Sequence, residues 1–233
     1  MKAVILAAGK GLRMKPLTEN IPKVLVEVKG KSFLERQLKE LEKAGIKEVI
    51  IVVGFLKEKI IEKFGEEFNG VKIQFVEQKE QKGTAHALLC VKDFLKEDFI
   101  QVNGDLIFES ELIEELKEKR ENVLVLRKVK NAEGFGLVKV EGKKVVGLIE
   151  KPLEKEEEKI SEKLVNCGVY RFTPEIFSAI EKISFSERNE LELTDAIKIL
   201  AEKGKVFWIP VKGKFFDIGT IKELEKAEKE INE

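Results

Sequence analysis

Apolar runs of strand length alternate with helix-period segments through the first half of the chain, and no other feature restricts the fold as much. The strand-like runs are Ala3–Ala7, Glu48–Val53, Val71–Val76 and Phe99–Val102. Between them, Phe33–Leu41, Leu56–Phe64 and Ala85–Val91 read as helices, the first with apolar residues at Phe33, Leu34, Leu38 and Leu41. Strands separated by helices pair in parallel, and the crossover helices cover the faces of the sheet. The pattern therefore predicts an α/β fold of three layers, with a Rossmann-like, mixed but mostly parallel sheet in the middle. Ser32 is placed to cap the first helix and Gly45 to stop it.

After Asp105 the pattern changes. A helix is expected at Leu112–Lys119 and a strand at Val123–Leu126, followed by Gly136–Val140 and Lys144–Ile149 around Glu141-Gly142, a hairpin-like pair that makes the sheet mixed. Pro152 and the charged run Glu154–Lys163 read as a solvated loop or short helix before the strand Leu164–Phe172. Helices at Pro174–Ile180 and Leu191–Lys203, a strand at Val206–Val211, a loop through Phe216-Asp217-Ile218-Gly219 and a helix from Ile221 complete the reading. A length of 233 residues suits a single domain, 1–233, in two halves at 1–105 and 106–220 with a closing helix at 221–233.

Composition excludes several classes of function. The 43 basic and 43 acidic side chains cancel, which argues against a partner that is nucleic acid or an anionic membrane, since both demand a concentrated excess of Lys and Arg. Apolar runs such as Val49–Val53 fall far short of the ~20 residues that cross a bilayer, and the N-terminus starts directly on a strand-like run without the long apolar stretch of a signal peptide. Cys90 and Cys167 are isolated, with no metal or redox spacing. They fit buried thiols of a reducing compartment, so a cytoplasmic protein is expected. A charged fraction of 37%, with Lys and Glu interleaved, is the composition of the surface ion-pair networks of heat-adapted, thermophile proteins.

The chemistry begins in the loop after the first strand, Leu6-Ala7-Ala8-Gly9-Lys10-Gly11-Leu12-Arg13. Gly9 and Gly11 let the backbone turn tightly and bring its amides to a ligand, as phosphate sites require, although a plain tight turn explains the same glycines. The third glycine of the dinucleotide fingerprint would fall on Met14, and Leu25 stands where a Walker A loop ending at Gly30-Lys31-Ser32 needs its first glycine. Arg13 offers a planar fork to phosphate oxygens and Lys23 of Pro22-Lys23 a point charge, a combination suited to a triphosphate.

Leu6 to Thr18 followed by Pro22-Lys23 resembles the signature of the nucleoside-diphosphate-sugar pyrophosphorylases, the sugar-1-phosphate nucleotidyltransferases. Leu12 departs from it, replacing the usual small hydroxyl residue before the Arg. The resemblance runs from Lys2 to about Thr220 and implies the nucleotide-diphospho-sugar transferase fold, with a nucleotide-binding first half and a sugar-phosphate-binding second half. It implies nucleotide contacts from Leu6, Ala8, Gly9 and Gly11, and from a base-cupping element that Glu77-Gln78 and Gly83-Thr84-Ala85-His86-Ala87 resemble, through Gln78, Gly83 and Thr84. The bland alternative for this element is a helix start capped by Thr84. Asp105 of Asn103-Gly104-Asp105 and Asp217 of Phe215–Thr220 match the family's metal-holding aspartates, which implies Mg²⁺ as cofactor. On the sugar side the resemblance implicates Gly136 of Phe135-Gly136, Glu150 of Glu150-Lys151-Pro152 and Asn166 of Asn166–Tyr170, with Lys151 on the acceptor's phosphate. Glu192-Leu193-Thr194-Asp195 resembles the family segment that enters a helix shaping the sugar side.

The activity so implied joins a sugar 1-phosphate to UTP or dTTP, with Arg13, Lys23 and Lys151 as the catalytic cations. Two alternatives stand beside it: a guanylyl- or cytidylyltransferase acting on mannose 1-phosphate or a non-sugar phosphate such as phosphocholine, and a non-catalytic nucleotide-sugar sensor or regulatory subunit. Some relatives continue into a left-handed β-helix with acetyltransferase activity; a chain closing on a charged helix is expected to lack it. Relatives often form dimers or tetramers, and the Phe-rich C-terminal third could supply a homo-oligomer interface.

Overall fold

A computed structural model of the chain describes residues 1–130, 136–149 and 163–231. Its central sheet joins β1 (Lys2–Ala7), β4 (Glu48–Val53), β5 (Glu67–Phe68), β6 (Val71–Glu77), β7 (Phe99–Asn103), β9 (Asn122–Lys128), β10 (Leu137–Glu141), β11 (Lys144–Ile149), β12 (Leu164–Phe172) and β13 (Val206–Pro210). Two small pairs stand apart: β2 (Glu27–Val28) with β3 (Lys31–Ser32), and β8 (Leu106–Ile107) with β14 (Phe216–Asp217). The helices are α1 (Phe33–Lys43), α2 (Lys57–Phe64), α3 (Thr84–Leu89), α4 (Ser110–Lys117), α5 (Glu175–Ile180), α6 (Leu193–Glu202) and α7 (Ile221–Glu230).

The three layers follow from the two-residue period of the strands. Ala3, Ile5, Val49 and Ile51 face one side of the sheet, against Leu34, Leu38 and Leu41 of α1, Ile60 of α2 and Leu112 and Leu116 of α4. Val4, Ile50 and Val52 face the other, against Leu88 of α3, Ile176 and Phe177 of α5 and Ile197 and Leu200 of α6. Both faces are covered, which is why the strands are continuously apolar rather than alternating. The capping expectations hold: Glu35 N–H donates to Ser32 Oγ at 3.3 Å, and Gly45 leaves α1 at φ 78°.

The strand order is β10-β11-β13-β9-β12-β7-β1-β4-β6-β5. Strands β1, β4, β6 and β7 are mutually parallel, β12 runs antiparallel between β7 and β9, and β9 pairs in parallel with β13. The hairpin β10–β11 curls until Leu137 and Val138 pair with Val165 and Leu164 at the start of β12. The parallel strands all end on one edge, where ligands gather in open α/β sheets.

Several elements differ from expectation. The two-residue strands β2, β3, β5, β8 and β14 are too short for any periodicity to show. The second helix begins at Lys57, because Leu56 sits in the left-handed region at φ 53°. The third begins after Gly83, which takes the cap position at φ 96°, so Thr84 is not its cap. A third small core of Met14, Val28, Phe33, Ile218 and Leu224 tucks α7 against the β2–β3 hairpin. The run Glu154–Lys163 lies outside the described residues except for Lys163. No helix among the described residues is long and apolar enough to cross a membrane.

Candidate active site

The loop after β1 is held open by its own contacts. Gly11 lies in the left-handed region at φ 62°, and Thr18 Oγ1 donates to its carbonyl at 2.7 Å. A methyl group on Gly11 would approach Lys23 Cβ and Thr18 Cγ2 to 3.1 Å, whereas one on Gly9 would meet nothing within 4 Å. Gly9 thus presents bare backbone to the space in front of the sheet. Leu12, the departure in this loop, turns its side chain out to solvent at 64% exposure. The Arg13 guanidinium lies over Gly219, 2.9 Å from where a Cβ would be built there, and has no ion-pair partner among the described residues.

The turn after β7 brings the first carboxylate to this loop. Gly104 N–H donates to Leu6 O at 3.0 Å, and a Cβ on Gly104 would fall 2.6 Å from both Leu6 O and Val24 Cγ1, so only glycine lets the two strand ends approach. Asp105 Oδ2 lies 2.5 Å from Lys23 Nζ. Pairing of β14 with β8 sets Asp217 opposite Leu106, and Ile218 N–H donates to Asp105 O at 3.0 Å. The carboxyl of Asp217 is pushed up to about 7 by burial and then by the Asp105 carboxylate, against the pull of Arg127 and Lys23. Two carboxylates far apart in the sequence therefore share one electrostatic environment.

At the other end of the cleft, buried Gln78 donates through Nε2 to Gly83 O at 3.0 Å, with His86 Nδ1 also 3.0 Å away. The carbonyl partner fixes which end of the amide is the donor. This loop is stitched to the segment before α6: Leu191 N–H donates to Lys82 O at 2.8 Å, Ala85 N–H to Leu191 O at 2.9 Å, and Leu193 N–H to Thr84 Oγ1 at 3.1 Å. Thr84 thus caps α6 rather than its own helix. The segment Glu192–Asp195, assigned from its sequence to the sugar side, enters α6 directly against the Gly83-Thr84 loop. A Cβ on Gly83 would fall 2.5 Å from Leu191 O and 2.8 Å from Leu191 N. Since backbone on both sides must yield, Gly83→Ala is expected to destabilise the protein by about 1–3 kcal/mol and to weaken nucleotide binding. A thermal melt read beside a nucleotide titration checks both.

Leu6, Ala8, Gly9, Gly11, Arg13, Lys23, Gln78, Gly83, Thr84 and Asp105 line one cleft of about 690 Å³. Asp217 adjoins it through Asp105. Gly136 and Asn166 come together at the start of β10 and β12, with Asn166 N–H donating to Gly136 O at 3.0 Å. The Asn166 side chain is engaged in a bulge of β12, its Oδ1 accepting from Gly168 N–H at 3.2 Å and its Nδ2 donating to the Tyr170 hydroxyl at 2.6 Å. Glu150 and Lys151 lie outside the described residues, as does Phe135. Sequence reasoning misses the polar cleft residues Gln81, Arg188 and Glu190, and gives Asn103 no role of its own. Asn103 Oδ1 accepts from buried Gln101 Nε2 at 3.1 Å, and a polar Gln within the apolar strand Phe99–Val102 is the signal available. Arg188, 2.8 Å from Glu192, leaves no signal in a chain so rich in charge.

A glycine loop with two cations beside it, a carboxylate pair and an amide-lined end, all on the carboxyl edge of a parallel sheet, define a nucleotide-binding α/β protein. The chain matches the family described as Nucleotidyl transferase over residues 2–233, and it belongs to that family. It is 43% identical over 221 residues to the bifunctional protein GlmU of Methanococcus vannielii, covering 94% of this chain and 52% of that protein. With the UTP–glucose-1-phosphate uridylyltransferase AglF of Haloferax volcanii it shares 39% identity over 240 residues, covering 100% of this chain and 97% of that protein. The chain thus spans about half the length of its GlmU relatives. Among solved structures, a Bacillus anthracis protein described as a glucose-1-phosphate thymidylyltransferase superposes with a TM-score of 0.87 at 26% identity, covering 100% of this chain and 97% of that one. A UDP-glucose pyrophosphorylase complexed with UDP-glucose has the same fold, with a TM-score of 0.87 at 23% identity over 98% of this chain and 97% of that one.

Proposed function

We propose that this protein joins a sugar 1-phosphate to UTP or dTTP, releasing pyrophosphate. The observation that carries the reading is the meeting, in one cleft, of the Gly9–Gly11 loop, the cations Arg13 and Lys23, and Asp105, with Asp217 brought to the Asp105 turn by the β14–β8 pairing. In the proposed reaction a phosphate oxygen of the sugar 1-phosphate attacks the α-phosphorus; a new P–O bond forms as the bond to the β-phosphate oxygen breaks, and the electron pair leaves with pyrophosphate. The attacking phosphate is already anionic near neutral pH, so the protein supplies position and charge rather than a general base. Arg13, turned into the cleft without an ion-pair partner among the described residues, is suited to hold phosphate oxygens through its fork, with Lys23 as a point charge. Lys151 is assigned by the family signature to the acceptor's phosphate.

Asp105 and Asp217 fit a divalent cation such as Mg²⁺, being two hard oxygen donors, with the Asp217 carboxyl raised by burial first and by the Asp105 carboxylate second, penalties that a cation would offset. When bound, Mg²⁺ would neutralise charge on the triphosphate. For the base, Gln78 gives its NH₂ to Gly83 O and turns Oε1 the other way, an acceptor suited to the N3–H of uracil or thymine. The name of the Haloferax relative supports the uridylyl reading.

The test is pyrophosphate release with Mg²⁺ across UTP, dTTP, GTP, CTP and ATP, each against glucose 1-phosphate, N-acetylglucosamine 1-phosphate and mannose 1-phosphate. Release confined to UTP or dTTP with one or two sugars is expected. Preference for GTP or CTP overturns the base reading, and silence from folded protein across the whole matrix overturns the sugar-transfer reading.

A further inference from the structure

The buried stripe of α1 carries one polar residue. Gln37 lies among Phe33, Leu34, Leu38 and Leu41 and is 1% exposed. Its Nε2 donates to Asn103 O at 2.9 Å and to Leu106 O at 2.8 Å. Both partners are carbonyl oxygens, so the NH₂ end must face them and Oε1 must face away, where it is buried without a partner. The two carbonyls flank Gly104-Asp105, so one side chain grips both ends of the turn that carries Asp105.

We infer that Gln37 is a positioning residue for Asp105: it clamps the Asn103–Leu106 turn from the helix side and so holds the Asp105 carboxylate where a divalent cation is bound. The inference rests on the proposed role of Asp105 and Asp217 as cation ligands. A leucine at this position would continue the apolar stripe and remove the orphaned Oε1, but it would also take the donor away from the Asn103 and Leu106 carbonyls. What the Gln adds is the double donation to the turn. Other contacts hold that turn at single points, Gly104 N–H on Leu6 O and Ile218 N–H on Asp105 O; Gln37 alone among the described residues bridges its two ends.

Mn²⁺ binding, followed by calorimetry and by the loss of the free-ion spin-resonance signal, tests this on the whole protein without nucleotide. Gln37→Met keeps the length and burial of the side chain and removes both donors; Gln37→Leu is the second variant. The Kd for Mn²⁺, measured well below the melting temperature, is expected to rise about 10–100-fold, beyond the modest fall in melting temperature that two lost hydrogen bonds bring, with unchanged binding of UTP in chelator, since neither the Gly9–Arg13 loop nor Gln78 bonds to Gln37. Unchanged Mn²⁺ affinity in both variants, while Asp105→Asn abolishes binding, overturns the positioning role and leaves the cation site standing. Unchanged affinity in Asp105→Asn itself overturns the cation site and the inference with it. Mn²⁺ affinity that falls only in step with melting temperature, or variants that both fail to fold, would make Gln37 a structural residue and overturn the inference.

Discussion

Asp105→Asn is expected to lower turnover about 10²–10³-fold, the range typical of removing one preorganised electrostatic group from an active site. The fold should survive. The turn around Asp105 is fixed through backbone atoms, by Gly104 N–H on Leu6 O, Ile218 N–H on Asp105 O and the two donations from Gln37. None of these uses the carboxylate. What the carboxylate does contact is Lys23 Nζ at 2.5 Å, in a pair whose side chains are 13% and 24% exposed. A partly solvated pair of this kind is worth about 0–1 kcal/mol to stability, so the melting temperature should stay close to that of the parent. Asparagine keeps the shape, removes the charge and turns one oxygen acceptor into a donor. The measurement is pyrophosphate release against Mg²⁺ concentration, with a thermal melt of the same sample. Turnover near the parental value at saturating Mg²⁺ would remove Asp105 from the cation site.

The place of Asp105 at the carboxyl end of a strand-like run is legible from the sequence, while its role comes from the family resemblance and the close strand approach at Gly104 from the structure; Gly11, Arg13 and Lys23 follow the first strand in one short stretch. Elements of five residues or more announce themselves by period, and Glu48–Val53, Lys144–Ile149 and Leu164–Phe172 have the expected bounds. The meeting of Asp217 with Asp105 depends on β14 pairing with β8, two strands of two residues each, and no window of that length carries a period. Partners far apart in sequence are hidden for the same reason. Thr84 looks like a helix cap because the local pattern fits one, yet its hydroxyl caps α6, more than a hundred positions later. Gln37 looks like one stray polar residue in an apolar stripe, although a polar side chain there must find partners or remain unsatisfied.

Asp217→Asn is expected to remove the fall of stability toward neutral pH that the parent shows in chelator. The carboxyl of Asp217 titrates at about 7 in the folded protein, against about 3.9 for an unfolded Asp. Between those values the folded state holds the proton that the unfolded state has released. Stability is therefore full below the lower value and falls as pH rises toward the upper one, by up to about 1.4 kcal/mol per pH unit. The cause is burial first and the Asp105 carboxylate second, so a neutral asparagine removes both penalties. In chelator the parent should lose melting temperature from about pH 5 to about pH 7.5, while the variant stays flat over that window and exceeds the parent at its upper end. Excess Mg²⁺ should separate the two in the opposite sense: a cation binding only the folded, ionised pair stabilises the parent in proportion to the logarithm of ligand excess over Kd. With one carboxylate missing the variant gains little. Melting curves at a series of pH values, with chelator and with Mg²⁺, check each arm. A parent whose stability rises through the window in chelator would show that Asp217 is ionised without strain, and a variant stabilised by Mg²⁺ as strongly as the parent would move the cation away from Asp217.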